Sequence, residues 1–564
     1  NGLIKMSRFE LRDSRRLTGP NVIWDKPGPV MDIALEDSDR ELAEQTWERY
    51  ARLLMNALGW EKEETATRHF PGGLSLAFSA PMDVLYSACE VNEVAWAMAV
   101  AEIEGSEIPD FNGEVEEWKA EVRKERNPPL LRIQRAAQKR NKIFLTCDDE
   151  VSVGAGRWSR TWPVKRLPET GDIDWDKISS IPIAMVTGTN GKTTTVRLLK
   201  AMVDAQGRVP GLSSTDWLRV GNQILDRGDW SGPGGARHIL RNENTDIALL
   251  ETARGGMLRR GLGIGAGEAD VVLITNVAPD HLGEWGIQDI DMLADTKFVI
   301  RHAGKSVVLN ADDEKSVERM DWITQPLTWF SLDPENPIVQ AHLANGGTAA
   351  VLKGEQLCWC EDGETQSLLS VHEIPISLGG AAKHNVANAL GAIAVAKKLE
   401  LKDDAILEGL KNFQSSVQDN PGRLNRFEVN GAQVLVDFAH NPHGLSALLD
   451  MTAAMPAKRR LITIGHAGDR DDDAICEVAL TAARSGVDHI IIKEQEKDLR
   501  GRAVGEIPAI MEEALLADGY PANQISRADS ELEATDLALK WAQPQDLLLL
   551  LTLSQRAEVL ARLG

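Results

Sequence analysis

The segment MVTGTNGKTTTVRLL, residues 185–199, has the composition of a loop that binds phosphate. A glycine-rich turn leading into a helix presents backbone N–H groups to phosphate, while a lysine adds a mobile charge and a threonine offers a hydroxyl to Mg²⁺. The common phosphate loop has four residues between its first glycine and the Gly-Lys pair, whereas this one has two. The sequence therefore predicts a short-form nucleotide site, against the alternative of an ordinary strand-to-helix turn. Its residues are Gly188, Thr189, Asn190, Gly191, Lys192, Thr193 and Thr194.

Polar residues also follow the next predicted strands. Glu251 ends the strand DIALLE, and a carboxylate beside Thr193 is a ligand of the type that Mg²⁺ prefers. Asn276 ends DVVLITN, His281 comes shortly after it, and Lys297 lies in the following helix-like segment. Because ligands bind where the carboxyl ends of parallel strands converge, we expect these side chains to lie together. Taken singly, His281 is more typical of a structural or solvated histidine than of a ligand, and Lys297 is typical of a solvated helix lysine.

The C-terminal part of the chain repeats this arrangement. Polar residues follow the strands in VLVDFAHNPHG, GHAGDRDDD and KEQEKDLRGR. A solvated charge cluster explains the last of these three segments as well as a ligand site does. The polar residues concerned are Asp437, His440, Asn441, Asp469, Arg470, Lys493, Arg500 and Arg502.

Two stretches alternate short apolar runs with amphipathic segments, which is typical of a parallel sheet covered by helices. Residues 181–309 contain the candidate strands IPIAMV, DIALLE, DVVLITN and SVVLN. Residues 432–553 contain AQVLVDFA, RRLITIG, VDHIIIK and DLLLLLTL. Between them, the turn-rich residues 322–376 predict a small β excursion, followed by a helix over residues 384–398. Residues 5–104 have an apolar core of their own, and charged linker material is expected after them.

The composition excludes several classes of function. With 85 acidic and 62 basic residues among 564, the formal charge is −23, and the sequence lacks the basic patch that a nucleic acid or an anionic membrane would need. The longest apolar run, near residues 547–551, is far shorter than a membrane span. Five scattered cysteines predict no disulfide framework and favour a reducing cytoplasm. Cys358 and Cys360 have no second ligand pair nearby, so no metal site is predicted there.

Several motifs together resemble those of the Mur ligase family. They are GTNGKTT, the strand-end Glu251, TNVAPDHLG, KHNVANALGA, PGRLNRF and DFAHNP. The resemblance implies an α/β architecture with an N-terminal α+β domain over residues 1–177, a central parallel-sheet ATPase domain over residues 178–416 and a C-terminal Rossmann-like domain over residues 417–564. It also implies that ATP drives amide formation through an acyl phosphate, in a site that the C-terminal domain closes.

The same resemblance implies a role for each candidate residue. The nucleotide would be held by the phosphate loop, by Asn276, by Asn385 on the adenine side, by Arg423 near the phosphates and by Asp437 on the ribose side. Mg²⁺, expected as two ions, would be bound by Thr193, Glu251, His281 and Lys297, and in many Mur ligases that lysine is carbamylated. The catalytic candidates are Lys192, Glu251, His281 and Lys297. The substrates are assigned to Arg254, His440, Asn441, Arg470, Arg500 and Arg502.

Within the Mur ligase family, several segments resemble the cyanophycin synthetases. They are DSRRLTGPNVIW, WSGPGGARHIL, LLETARGGMLRRGL, GDRDDD and IIKEQEKDLRGR. In those enzymes this half joins the arginine α-amine to the β-carboxylate of an aspartate in a polyaspartate chain. Two features differ here. The chain runs from Pro168 through a short acidic stretch directly to Ile181, without their ATP-grasp module, and residues 89–93 lack the histidine pair of a zinc-dependent hydrolytic site.

These observations predict a stand-alone, cytoplasmic, ADP-forming amide ligase. It would join the amine of an amino acid, arginine or similar, to the carboxylate of an acidic amino acid or peptide. The expected product is a short isopeptide, because a polymerising cycle needs a second ligation activity. Two alternatives are a ligase that works with a separate partner ligase and an inactive scaffold that has kept the fold. A homo-oligomer, either dimer or tetramer, is expected.

Overall fold

The computed structural model describes residues 8–564, which begin with an antiparallel sheet. The first seven residues of the predicted N-terminal domain, including the start of its predicted core, lie outside the described residues. The strands are β1 Glu10–Leu17, β2 Gly28–Ala34, β3 Thr65–Phe70 and β4 Gly73–Phe78, in the order β1-β2-β4-β3. Helices α1 Arg40–Ala57 and α2 Leu85–Glu104 pack against each other and against the sheet.

The core of this N-terminal part contains a buried hydrogen bond between its two helices. Trp47 on α1 is fully buried, and its indole N–H donates to Asn92 Oδ1 on α2 at 2.9 Å. The amide of Asn92 donates in turn to the carbonyl of Leu76 on β4 at 3.1 Å. Asn92 lies in the segment where a zinc-binding histidine pair is missing, and here its side chain joins both helices to the sheet.

The segment after α2, interpreted from the sequence as charged linker, forms ordered structure instead. It contains α3 Phe111–Glu125, α4 Pro128–Gln138 and a small antiparallel sheet of β5 Phe144–Thr146, β6 Glu150–Val153 and β7 Arg160–Pro163. Leu130 and Ile133 of α4 share a small buried core with Val151 of β6. The linker interpretation was wrong because amphipathic helices with few apolar residues resemble linker in composition.

The N-terminal part also contacts the polypeptide beyond it through main-chain hydrogen bonds. Thr18 N donates to the carbonyl of Arg260 at 3.0 Å, and Leu262 N donates to the carbonyl of Pro20 at 2.8 Å. A Cβ at Gly19 would lie 2.4 Å from the carbonyl oxygen of Leu262. Residues 18–20 and 260–262 therefore fit closely, backbone against backbone.

The middle of the chain forms one sheet of eleven strands. They are β8 Ile183–Thr187, β9 Pro210–Ser213, β10 Trp217–Val220, β11 Gln223–Arg227, β12 Ile247–Glu251, β13 Val271–Ile274, β14 Val307–Asn310, β15 Leu327–Ser331, β16 Thr348–Lys353, β17 Gln356–Glu361 and β18 Glu364–Ser370. Their order is β11-β10-β9-β12-β8-β13-β14-β15-β16-β17-β18, parallel from β9 to β16 and antiparallel at both edges. The four strands predicted from the sequence are β8, β12, β13 and β14.

Helices cover both faces of this sheet. They are α5 Lys192–Ala205, α6 Pro233–Arg241, α7 Arg254–Arg259, α8 Ile290–Phe298, α9 Glu314–Glu318, α10 Pro337–Ala344, α11 Lys383–Lys398 and α12 Asp403–Asn412. Side chains of α6, α7 and α8 enter the core on one face, and those of α5, α11 and α12 enter the core on the other. The central strands are therefore buried on both sides, which explains their continuous apolar runs. The predicted helix over residues 384–398 is confirmed as α11.

The β excursion predicted over residues 322–376 is not a separate unit. Its strands, β15 to β18, extend the central sheet directly from β14, and the turns between β16, β17 and β18 form an antiparallel edge. The turn-rich composition identified the hairpins correctly but could not show that they pair with the parallel sheet.

The C-terminal part forms a six-stranded sheet. Its strands are β19 Asn425–Val429, β20 Ala432–Asp437, β21 Arg460–Ile464, β22 His489–Lys493, β23 Ile525–Ala528 and β24 Leu547–Leu551. Their order in the sheet is β19-β20-β24-β21-β22-β23. All neighbours except β19 and β20 pair in parallel. Its helices are α13 Pro442–Ala453, α14 Asp472–Arg484, α15 Glu506–Ala517, α16 Glu531–Trp541 and α17 Arg556–Leu563. The four predicted strands are present, which confirms a second α/β unit. Across residues 8–564, no helix has the length and apolar character needed to cross a membrane.

Replacing Asn92 with alanine should destabilise the N-terminal part. Removing the side chain leaves the buried indole N–H of Trp47 without an acceptor, which costs about 1–3 kcal/mol of unfolding free energy. The matched control is Asn112→Ala, since Asn112 is exposed on α3. Urea unfolding followed by tryptophan fluorescence should show a lower midpoint for Asn92→Ala only. Equal midpoints for the two variants would contradict this account of the core.

Candidate active site

The phosphate loop connects β8 to α5 and requires both of its glycines. Gly188 has φ of 139° and Gly191 has φ of 88°, in the region that favours glycine. A Cβ at Gly188 would lie 1.9 Å from Thr275 Oγ1, and one at Gly191 would lie 2.1 Å from Asn388 Oδ1. The residue after β13 and α11 lie directly against the turn, which leaves no room for a side chain at either glycine.

The end of β13 holds the loop in place. Thr189 N donates to the carbonyl of Asn276 at 2.9 Å, and Asn190 N donates to Asn276 Oδ1 at 3.0 Å. The amide of Asn276 donates back to the carbonyl of Asn190 at 3.1 Å. Asn276 lines the cleft, as expected for a nucleotide-binding residue, but both polar atoms of its side chain are bonded to the loop. Its contribution is to position the loop.

Lys192 begins α5 and lies over the loop. Its ammonium donates to the carbonyls of Gly188 at 3.0 Å and Thr189 at 2.9 Å. Burial lowers its pKa, although the charges of Glu251 and Asp280 oppose the shift. Lys192 is half-buried, and an ammonium with only neutral carbonyl partners has charge available for an anion, as a phosphate site requires.

Thr193 and Glu251 form a donor set for a hard cation. Thr193 Oγ1 donates to Glu251 Oε1 at 3.1 Å, and the backbone N–H of Thr215 donates to Glu251 Oε2 at 3.4 Å. Glu251 is 2% exposed, and burial raises its pKa against the nearby charges of Lys192 and Arg423. In the described part of the chain, Glu251 has no ion-pair partner. A buried carboxylate beside a threonine hydroxyl fits Mg²⁺ in its preference for oxygen ligands.

Lys297 lies on α8 in the same cleft and is 4% exposed. Burial is the main cause that lowers its pKa to about 7, and the charge of Lys192 adds to the effect while Asp280 opposes it. Within residues 8–564, the Lys297 amine makes no hydrogen bond or ion pair. The alternative that Lys297 is a solvated helix lysine is therefore wrong. With this pKa, the amine is partly neutral near pH 7.

His281 is held between acidic groups and an arginine of the C-terminal part. Its Nδ1 lies 2.6 Å from Arg470 Nη2 and 3.3 Å from Glu284 Oε1, and its Nε2 lies 3.9 Å from Asp280 Oδ1. With Asp280 and His440 it brings three metal-ligand atoms within 4.8 Å of one another, and it does so again with Glu284 and Asp469. The guanidinium of Arg470 already contacts all three members of the second set, so the first set is the candidate position for a further cation.

Glu284 is a site residue that the sequence analysis missed. Burial opposes the shift, but the hydrogen bond from His281 and the charges of His281 and Arg254 hold the pKa of Glu284 at about 2. Arg254 bonds Glu284 and also donates to the carbonyl of His281 at 2.6 Å. The sequence does contain one indication of this pair, because Glu284 follows His281 by three residues. Arg254 thus fixes the acidic loop and still lines the cleft.

The expected adenine-side and ribose-side residues also line the cleft. The amide of Asn385 donates to the carbonyl of Ile376 at 3.0 Å, and Asp437 accepts from the backbone N–H groups of Leu424 at 2.9 Å and Ala439 at 2.8 Å. Burial raises the pKa of Asp437.

Arg423 joins the C-terminal part to the phosphate loop. Its Nη2 donates to Thr193 Oγ1 at 3.3 Å, its guanidinium lies 4.7 Å from the ring centre of Phe438, and its Nε is buried without a partner within residues 8–564.

A pair of side-chain amides also closes the C-terminal part against the loop. Asn441 Nδ2 donates to Asn190 Oδ1 at 3.1 Å, and Asn190 Nδ2 donates to Asn441 Oδ1 at 3.3 Å. Asn441 Oδ1 additionally accepts from Gly444 N at 2.8 Å and so caps α13. Asn441, predicted as a substrate residue, contacts the phosphate loop instead and does not line the cleft.

The remaining predicted substrate residues differ in position. His440, whose pKa is lowered mainly by burial, and the exposed Arg500 both line the cleft with Arg470. Arg502 does not line it: its guanidinium donates to the carbonyls of Gly468 at 3.1 Å and Arg470 at 2.6 Å. That geometry makes Arg502 a residue that positions the loop carrying Arg470.

Gln495, just after β22, is a second residue that the sequence analysis did not identify. It is 2% exposed and lines the cleft, yet neither atom of its amide has a hydrogen-bond partner within residues 8–564. His466, after β21, lies in the same wall, and burial lowers its pKa to about 4. Both residues follow parallel strands, and this position could have indicated them as site candidates from the sequence. The whole cleft has a volume of about 1510 Å³, which exceeds that of one nucleotide pocket.

Comparison with known proteins agrees with this geometry. The family model of the Mur ligase middle domain matches residues 186–396, and the model of the Mur ligase glutamate ligase domain matches residues 422–552. The cyanophycin synthetase of Trichormus variabilis is 36% identical over 374 residues, which are 66% of this chain and 41% of that protein. The chain thus spans about two-fifths of the length of such relatives.

More distant relatives come from other ligases. The UDP-N-acetylmuramoyl-L-alanyl-D-glutamate–2,6-diaminopimelate ligase of Listeria monocytogenes is 25% identical over 394 residues, covering 64% of this chain and 72% of that protein. The solved structure of MurF from Acinetobacter baumannii has a TM-score of 0.48 at 18% identity, over 68% of this chain and 76% of that one. Since the two family models together match more than half of its length, the chain belongs to the Mur ligase family.

Proposed function

We propose that this protein is an ATP-dependent, ADP-forming ligase that joins an amino acid amine to a carboxylate, with an aspartyl side chain as the carboxylate. The observation that carries the proposal is the single cleft in which Lys192, Thr193, Glu251 and Lys297 meet side chains of the C-terminal part. The relatives support an amide ligase in general, and their names suggest amino acid or peptide substrates.

Different residues of the cleft would serve different steps of the reaction. Loop N–H groups and Lys192 would hold the nucleotide phosphates, Thr193 and Glu251 would hold one Mg²⁺, and Asp280, His281 and His440 would hold a second. The bound cations would reduce the repulsion between the incoming carboxylate and the γ-phosphate. An oxygen of the carboxylate attacks the γ-phosphorus and the bond to ADP breaks, giving the acyl phosphate. The amine nitrogen then attacks the acyl carbon, phosphate leaves, and the amine loses a proton.

Carbamylation of Lys297 is a second part of the proposal. The Lys297 ammonium first loses one proton. The neutral amine then adds CO₂, a nitrogen–carbon bond forms and a second proton is released to water, so that a cation becomes a carboxylate. The amine is suited to this reaction because its pKa of about 7 leaves a substantial neutral fraction at physiological pH. The product would stand near Asp280 and could hold Mg²⁺ with it.

The substrates would occupy the rest of the cleft. Arg254 and Arg470, which lie around the acidic loop, are suited to an acidic acceptor, whereas the unpartnered amide of Gln495 is suited to the incoming amino acid. Only about twenty residues separate β7 from β8, so no second ligase module lies between them. We therefore propose a short isopeptide as the product. A partner ligase in trans and an inactive scaffold remain the alternatives, and a homo-oligomer remains a prediction.

The first test is amine-dependent release of ADP from ATP. Purified protein is given aspartate or aspartyl peptides with arginine or another amine, and the product is identified by mass spectrometry. Lys192→Ala should lower the rate about a hundredfold, the usual effect of losing one contact to developing charge. Lys177→Ala, which changes an exposed lysine, is the control. If no amine in the panel stimulates ADP release, the stand-alone ligase is wrong, and the scaffold and the partner-dependent ligase are left.

The second test is direct detection of the carbamate. With ¹³C-labelled CO₂ held at constant concentration, the carbon spectrum should show one carbamate signal whose intensity rises from about pH 6 to about pH 8, as the Lys297 amine loses its proton. The signal should be absent in Lys297→Met and present in Lys177→Ala. If the signal is absent at all pH values, Lys297 is not carbamylated, but the ligase proposal is unaffected.

A further inference from the structure

Asp216 is a buried carboxylate that two arginines from distant segments share. It lies in the turn between β9 and β10, and its side chain is 6% exposed. One oxygen pairs with Arg197 of α5, the helix that follows the phosphate loop. The other accepts a hydrogen bond from Arg556 Nη2, on α17 of the C-terminal part, at 2.5 Å. A single carboxylate therefore connects the phosphate-loop helix with the C-terminal part.

The same two arginines hold a turn at residues 420–423, in the linker that leads into β19. Arg197 Nη1 donates to Asn420 Oδ1 at 2.8 Å, and Asn420 is 2% exposed. The side chain of Arg556 lies against Gly422, where a Cβ would stand 2.3 Å from Arg556 Cδ. Gly422 has φ of 68°, a conformation that favours glycine. The turn is thus fixed from both sides by side chains that share one carboxylate.

Arg423 is the last residue of this turn and reaches the start of α5. Its backbone N–H donates to the carbonyl of Asn420 at 3.2 Å, so its position follows that of the turn. Its Nη2 donates to Thr193 Oγ1 at 3.3 Å, and Thr193 Oγ1 also donates to Glu251. Arg423 lines the cleft as well. The turn therefore sets where this guanidinium stands beside the proposed nucleotide site.

Three positive charges converge on Asp216. Burial opposes the shift, but the charges of Arg197, Arg423 and Arg556 lower its pKa, so it remains a carboxylate. Without a negative charge between them, guanidinium groups this close would repel one another, and burial strengthens that repulsion because water no longer screens it. Asp216 therefore stabilises the arrangement in which the C-terminal part is closed on the phosphate-loop helix.

We propose that Asp216 is a positioning residue for nucleotide binding. Its two arginine partners fix the turn of residues 420–423, and the turn places Arg423 at the nucleotide phosphates. The inference rests on the proposed function, because it takes ATP as the ligand of the cleft. It adds that the affinity for nucleotide depends on an ion-pair network between the two large parts of the chain, and not only on residues that contact the phosphates.

The first test measures the turn itself, in the full chain without any ligand. Arg556→Gln removes one of the two side chains that hold the turn. Because Arg556 is half-buried, this variant is preferred to Asp216→Asn, which would leave Arg197 buried without its charge partner. Hydrogen exchange of residues 416–425, followed by mass spectrometry, should be at least about tenfold faster in the variant. Arg562→Gln, on the same helix, breaks an exposed ion pair within the C-terminal part and should exchange normally. Equal exchange in Arg556→Gln and the unaltered protein would overturn the inference.

The second test determines whether Arg423 carries the effect. Calorimetry measures the binding of AMPPNP, a non-hydrolysable ATP analogue, in the presence of Mg²⁺. Arg556→Gln should weaken binding about tenfold, but less than about twofold when Arg423→Ala is already present, because contacts in one network are not additive. Arg562→Gln should bind normally. Equal weakening in both backgrounds, or no weakening by Arg556→Gln, would overturn the inference. Absence of nucleotide binding by the unaltered protein would instead contradict the proposed function.

Discussion

The position of β8 between β12 and β13 is the constraint on which the rest of the cleft depends. Parallel pairing in this order places the phosphate loop, Glu251 and Asn276 at one edge of the sheet. Asn276 then holds the loop through three hydrogen bonds to its backbone, and Glu251 accepts a hydrogen bond from Thr193 in the first turn of α5. If either neighbour were elsewhere in the sheet, the glycine turn would lose its support and Thr193 its acidic partner.

Buried charge is the second organising feature. Glu251 and Lys297 are buried and Lys192 is half-buried, and burial shifts the pKa of each towards its neutral form. Such groups destabilise an empty protein unless something binds them. The asparagine pair at Asn190 and the hydrogen bond from Arg423 to Thr193 keep the two large parts together around these charges. The site is thus arranged around a ligand of mixed charge before the ligand arrives.

Much of this arrangement could be predicted from the sequence. The central strands could be predicted because burial on both faces gives unbroken apolar runs, and the residues at their ends indicated the loop, Glu251 and Asn276 as site candidates. Lys297 was identified only through the resemblance to the Mur ligase family. Contacts between distant segments could not be predicted from the sequence. Asn441 meets Asn190, and Arg470 meets His281, across long separations that leave no local pattern.

Other predictions from the sequence were wrong or incomplete because the residue type or the local composition was misleading. Arg502 has the residue type of a substrate ligand, but only the fold shows that backbone carbonyls use its hydrogen bonds. The sparse apolar pattern of α3 resembled linker, and the hairpin of β17 and β18 gave no sign of which sheet it would join. Gln495 became visible as a candidate only when its burial and its unbonded amide were known.

The close backbone fit between residues 18–20 and 260–262 has a consequence for the shape of the cleft. Main-chain contacts tolerate side-chain changes, but they do not tolerate a shift of either segment, and Gly19 leaves no space for one. Residues 254–262 continue into the wall of the cleft that contains Arg254. A displacement of the N-terminal part would therefore move that wall with it, so the shape of the cleft depends mechanically on a part of the chain that does not line it.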